Sequence, residues 1–219
     1  MFIRPSIRSD IADGLRRLWG HRALRILAIS MGLMNITYGG AFAAFVLYAK
    51  LELGLGEVGY GVLLSMIAAG GVLGTVTVTR LEARWGPAAL LRCGLIVETG
   101  THLVLAVARV PWIVGATLVL FGAHAAIWGI VSVTLRQRII PSALLGRVNS
   151  VYLLFSMGGF SVGALLGGGV GHAFGVTAPF WTAFVLMVVM TSVAWRFMTR
   201  SALTPPSQEP GSVPSRGAV

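Results

Sequence analysis

Long runs without a charged residue alternate with short arginine-bearing segments along the chain. The runs are Ile26–Ala49, Val58–Thr79, Ala88–Ala108 (broken only by Arg92 and Glu98), Val110–Leu135 and Val148–Trp195. A helix that crosses a bilayer needs about 20 apolar residues, because each adds about 1.5 Å across a hydrocarbon core of about 30 Å. Each of the first four runs is long enough for one crossing. The fifth would make a helix of about 72 Å, so it must fold back. Its break falls in "GHAFGVTAP", residues 171–179, where two glycines and a proline interrupt the helix. The pattern predicts an all-α membrane protein with six transmembrane helices at about 26–49, 58–79, 88–108, 110–135, 149–171 and 177–197, together a domain over residues 23–198.

The flanks differ. Ile7, Ile11, Leu15, Leu18 and Trp19 recur at helical spacing with Arg8, Arg16 and Arg17 between them. Residues 1–22 are predicted to form an amphipathic linker helix on the cytoplasmic surface. Residues 199–219 are rich in Pro and Ser and read as a disordered cytoplasmic tail.

Composition agrees with the membrane reading. The chain is 56% hydrophobic and 11% charged, against about a quarter charged in soluble domains. A single large soluble core would need polar outer faces on its helices, and most segments have none. The net charge of +10 is topological. Six crossings put both termini on one side, and of the 17 Lys and Arg only Lys50 and Arg109 fall opposite. Basic loops stay in the cytoplasm, so both termini are expected there, in a plasma (inner) membrane. Clusters confined between apolar runs do not describe a nucleic-acid surface. Cys93 is the single cysteine, which excludes an intrachain disulfide, and its apolar neighbours suggest a small buried hydrophobe. The start, Met1–Asp13, has no apolar core followed by a cleavage site.

Glycines mark one packing face. Gly159, Gly163, Gly167, Gly171 and Gly175 recur every fourth residue in the fifth span, and Gly70 and Gly74 repeat the pattern in the second. Such stripes let helix backbones approach closely, either as static packing or as a surface on which helices slide. Glu98 is the one formal charge well inside a span, about 9 Å deeper than Arg92. It is costly there. Two readings stand: a structural pair with a basic-end arginine, Arg136, or a proton-coupling site. Near the midpoints of the fourth and first spans lie His124, with Trp128 one turn on, and Asn35, with Tyr38 and Phe42 continuing its face. Either these five residues line a substrate pathway for a large amphipathic ligand, or His124 and Asn35 bond to neighbouring helices. The remaining histidines carry little weight, and no metal spacing, phosphate loop or nucleophile elbow is present. No cofactor is expected. An intramembrane enzyme would need paired groups at one depth, and counting residues sets Glu98 and His124 at different depths.

Three stretches resemble the C-terminal half of a major facilitator superfamily transporter, in its branch of enterobactin and macrolide efflux proteins. They are "GLRRLWGHRALRILAI", "GEVGYGVLLSMIAAGGVLGTV" and "VSVTLRQRIIPSALLGRVNSVY". The last holds Arg136, Gly146 and Arg147. The loop "RLEARWGP" partly matches the family's loop motif through Arg84 and Gly86, with Ala83 where an acid is usual and Glu82 beside it. The resemblance implies proton-driven efflux of small drug-like or siderophore-like molecules. It also implies that spans 1, 2, 4 and 5 line the cavity while spans 3 and 6 are peripheral. The family has two six-span halves, so the chain is expected to be one half and to need a second: the missing part of the same chain, a separate chain, or a second copy. A non-transporting membrane scaffold is the alternative.

Overall fold

A computed structural model describes residues 14–16 and 18–198. Six helices follow one another: α1 (Arg22–Leu51), α2 (Glu57–Trp85), α3 (Pro87–Val107), α4 (Pro111–Ile139), α5 (Ser142–Phe174) and α6 (Ala178–Phe197). All six are long and apolar enough to cross a membrane, and no strand occurs among the described residues. The chain is thus an all-α, six-span membrane protein. The linker-helix expectation falls mostly, and the tail expectation wholly, outside the described residues. Of the former, residues 14–16 and 18–20 are helical, with Leu18 buried in the core and Trp19 stacked on Phe155.

Helix boundaries follow local chemistry. Pro87 and Pro111 open α3 and α4, where the missing N–H costs nothing. Gly86 (φ 78°) and Gly175 (φ 96°) end α2 and α5 in backbone conformations that a side chain would strain. Gly86 in the partly matched loop motif therefore has a steric role, as the corner between α2 and α3. The acid of that loop, Glu82, faces Arg138 at 3.8 Å, while Arg84 is exposed.

The packing has an internal symmetry. α1 packs on α5 and α6; α4 packs on α2 and α3; α3 packs on α6. Exchanging α1–α3 with α4–α6 maps this set of neighbours onto itself. Three helices run out and back, so the second triplet is inverted relative to the first, the 3+3 arrangement of many transporters.

Glycine makes the two strongest contacts possible. A Cβ on Gly163 would land on the carbonyl of Ile36, and one on Gly167 on the backbone of Gly40; Gly39 in turn faces Phe160 and Ala164. The equivalent α2/α4 crossing repeats this, with Gly70 against Val119, Gly74 against Ala123 and Gly122 against Ile67. Gly159 meets Gly32 and Asn35. Gly171 does not join this face. A Cβ there meets only Pro179, at 3.3 Å, because α5 has reached its turn.

Two apolar clusters fill the interior. One, at the basic end, gathers Leu24, Leu27, Leu91, Leu95, Val131, Leu135 and Met187. The other gathers Phe45, Tyr48, Leu105, Val114, Leu118 and Phe180. The second end is knitted by polar contacts as well. The Tyr48 hydroxyl donates to the Ala108 carbonyl at 2.7 Å, and Arg109 pairs with Glu52 at 2.7 Å. Cys93 is exposed on the outer face of α3 and is not the buried hydrophobe expected. In a bilayer an outward thiol meets lipid, so apolar neighbours in sequence did not imply burial in protein.

The crossings make a test. Gly163→Val is expected to destabilise the chain by about 2 kcal/mol or more, because the obstacle is backbone that has no rotamer to yield. Gly168→Val, at an exposed position with nothing within 4 Å of the added carbon, should leave stability within about 0.5 kcal/mol. Thermal unfolding of both variants in detergent measures the difference.

Candidate functional site

Between the two apolar clusters lies a polar layer. Gly94, Glu98 and His102 occupy successive turns of one face of α3. His124 on α4 sends Nε2 to the Glu98 Oε2 at 3.0 Å, and His102 Nε2 lies 3.4 Å from Oε1. All three side chains are buried, none more than 5% exposed. Gly94 is what admits the His124 ring, since a Cβ there would sit 2.7 Å from Nδ1. One carboxylate thus bonds His124 through one oxygen and has the His102 ring near the other, all three buried in protein.

This corrects the pairing of Glu98 with Arg136. Arg136 lies 12 residues beyond His124, about 18 Å further along α4. It donates from Nε to the Asn149 Oδ1 at 3.1 Å and stacks 3.7 Å from the Tyr152 ring centre. The supposed difference in depth between Glu98 and His124 is corrected too. α4 has 29 residues and α3 has 21, so counting from the end of each helix does not fix the relative depth of their residues. The 3.0 Å contact sets His124 level with Glu98 on the shorter α3. His102, set aside on sequence, belongs to the cluster. Its signal was available as Glu98 and His102 at i and i+4.

The cluster opens on a cavity of about 240 Å³ between α1 and α4. Met31, Met34, Asn35 and Tyr38 line it from α1, Ile67 from α2, Glu98 from α3, and Phe121, His124, Ala125 and Trp128 from α4. Four of the five pathway candidates, Asn35, Tyr38, His124 and Trp128, therefore share one cavity, and Glu98 from the supposedly peripheral α3 joins them. Phe42, the fifth, stands beside it. Tyr38, Phe42 and Phe160 form a ring cluster with centroids 5.6 to 6.0 Å apart, and Phe121 stacks on Tyr38 at 5.5 Å. Asn35 donates to the Met31 carbonyl of its own helix at 2.9 Å, so it does not tie α1 to a neighbour; His124 does tie α4 to α3. Phe121 and Phe160 were not singled out beforehand, since aromatic residues in a span look alike until the neighbouring helix is known. Gly146 and Arg147 lie at the start of α5, and Gly146 has nothing within 4 Å of an added carbon.

The chemistry of this layer is limited to protons and polar contacts. A carboxylate and two imidazoles can hold different numbers of protons. Among the described residues no group of His, Cys, Asp or Glu is arranged to hold a metal ion. The cavity wall offers aromatic faces, thioethers and one amide, a surface for an apolar molecule with a few polar groups.

Residues 3–210 match the transmembrane secretion effector family of the major facilitator type. The chain belongs to that family. Among curated relatives it is similar to the enterobactin exporter EntS of Citrobacter koseri, with 31% identity over 150 residues, 66% of this chain and 34% of the relative. It is also similar to the enterobactin exporter EntS of Shigella boydii, with 30% identity over 169 residues, 74% of this chain and 38% of the relative. The chain thus spans little more than a third of the length of these family members. Within the family, the six helices described above are one half of the architecture.

A double-mutant cycle tests the buried layer. His124→Leu removes a partner from a desolvated carboxylate and should cost about 3 kcal/mol. Glu98→Leu with His124→Leu should cost less than the sum of the two single changes. Unfolding in detergent of the two single variants and the double variant measures the coupling, and additivity would contradict the pairing.

Proposed function

We propose that this chain forms one half of an exporter that moves small amphipathic molecules, drug-like or siderophore-like, out of the cell at the expense of a proton gradient. The observation that carries the reading is the Glu98–His102–His124 cluster set directly behind the cavity lined by Asn35, Tyr38 and Trp128. A proton taken up by the cluster changes the bond between Glu98 and His124, and His124 is itself a wall of the cavity. Binding of substrate and binding of a proton therefore act on one side chain. That is the differential contact which coupling requires.

The aromatic and thioether surface receives the apolar body of the substrate, and Asn35 and His124 meet its polar groups. Glycine crossings at α1/α5 and α2/α4 let the helices shift against one another as the cavity changes its access. Arginines at the ends of α2, α4 and α6 and at the start of α1 support an orientation with both termini in the cytoplasm, in a plasma membrane. Support for a second half comes from α2 and α5, whose apolar windows are only 22% and 17% buried. Arg84, Gly86, Arg136, Gly146 and Arg147 would then belong to cytoplasmic loops and helix ends that reset between states. The names of the relatives support export, and a siderophore is one member of the substrate class.

The transport test uses vesicles carrying this chain together with its second half. Glu98→Gln should abolish efflux of a fluorescent amphipathic dye driven by an imposed pH gradient, while dye exchange without a gradient continues. Trp128→Ala should raise KM about tenfold. Vesicles with this chain alone should not accumulate dye. Gradient-driven transport that survives Glu98→Gln would overturn the coupling assignment.

A further inference from the structure

We infer that the groove between α1 and α6 at the basic end of the molecule is a binding site for one anionic phospholipid. The groove has a volume of about 420 Å³. Its walls are apolar, with Ile29 and Leu33 on α1 facing Val189 and Val193 on α6, and Arg22 and Arg25 stand at its mouth. The inference rests on the membrane-spanning fold alone and not on the transport reading.

Three features select the occupant. The first is charge. Arg22 and Arg25 are both exposed. Arg22 lies 5.4 Å over the Phe197 ring, and Arg25 makes a long hydrogen bond of 3.4 Å to the Trp19 carbonyl. Neither has a carboxylate partner among the described residues. Two guanidinium groups one turn apart can therefore grip a phosphate, with donors to spare. The second is depth. From Arg22 to Leu33 the groove descends 11 residues of helix, about 16 Å. That is close to half of a hydrocarbon core of about 30 Å. A headgroup at the arginines leaves an acyl chain that ends near the groove floor, within one leaflet. A free phosphate would use the arginines and leave the apolar walls unmatched.

The third is orientation. At 3.6 residues per turn, Ile29 and Leu33 fall on the side of α1 away from Met31, Asn35 and Tyr38. The groove therefore opens on the opposite side of α1 from the cavity, toward the bilayer. Basic pockets between spanning helices are known physical hosts for anionic headgroups.

Native mass spectrometry of the full chain, released from detergent and titrated with lipid, tests the assignment. Phosphatidylglycerol should bind about 30-fold more tightly than phosphatidylcholine, from two arginines near the headgroup. Arg22→Gln with Arg25→Gln should bring phosphatidylglycerol down to the phosphatidylcholine level. Val189→Trp, which fills the groove and leaves both arginines, should weaken both lipids. Inorganic phosphate in excess should not displace phosphatidylglycerol. Equal affinity for the two lipids in the wild-type chain, or a preference that survives the double substitution, would overturn the assignment. Displacement by phosphate would make the site one for a free anion and would overturn it as well. Should the double variant fail to fold, Val189→Trp decides: weakened lipid binding upholds the groove, and unchanged binding refutes it.

Discussion

Inside a bilayer a leucine gains nothing by leaving a lipid tail for another leucine, so burial of apolar surface cannot hold helices together there. What remains is close contact between backbones, and this chain concentrates that contact at two crossings. Gly163 and Gly167 seat α5 against Ile36 and Gly40 of α1, and Gly70, Gly74 and Gly122 seat α2 against α4. Everything else in the fold is arranged around these crossings. They fix α1 and α4 from behind, and the free faces of the same two helices build the cavity with Asn35, Tyr38, His124 and Trp128. The internal exchange symmetry has the same origin, since each crossing joins the first helix of one triplet to the second helix of the other.

The polar layer adds a different constraint. Glu98 is a charge-capable group buried among the helices, and a hydrogen bond to His124, with the His102 ring close by, stands in for part of its hydration. The layer divides the interior into an apolar cluster above and another below. It also ties α3 to the cavity wall. α3 is peripheral by contact, since it packs on α4 and α6, yet it contributes the group with the most distinctive chemistry. Position in the bundle and participation in the site are thus separate properties.

Much of this was legible in residue order. Six crossings followed from the uncharged runs because hydrocarbon thickness sets helix length, and the glycine stripes on α2 and α5 announced close packing. Asn35, Tyr38, His124 and Trp128 could be brought to one level by counting from the helix ends. What could not be read was register between helices. A count of residues along each helix does not set one helix against the next; the fold brings His124 to Glu98 and leaves Arg136 for Asn149 and Tyr152. The receiving glycines, Gly32, Gly39, Gly40 and Gly122, were equally hidden, because a packing partner is defined by the neighbouring helix and not by its own spacing. Cys93 failed for a related reason: beside lipid, apolar surroundings do not distinguish inside from outside.

That same thiol has a practical corollary. It is the sole cysteine of the chain, it points outward, and it sits on α3 five residues before Glu98, a rise of about 7 Å. A maleimide fluorophore or spin label placed there attaches at one position without prior removal of other sulfhydryls. Its spectrum would be sensitive to motion of α3 beside the buried carboxylate, so the native sequence carries its own reporter handle.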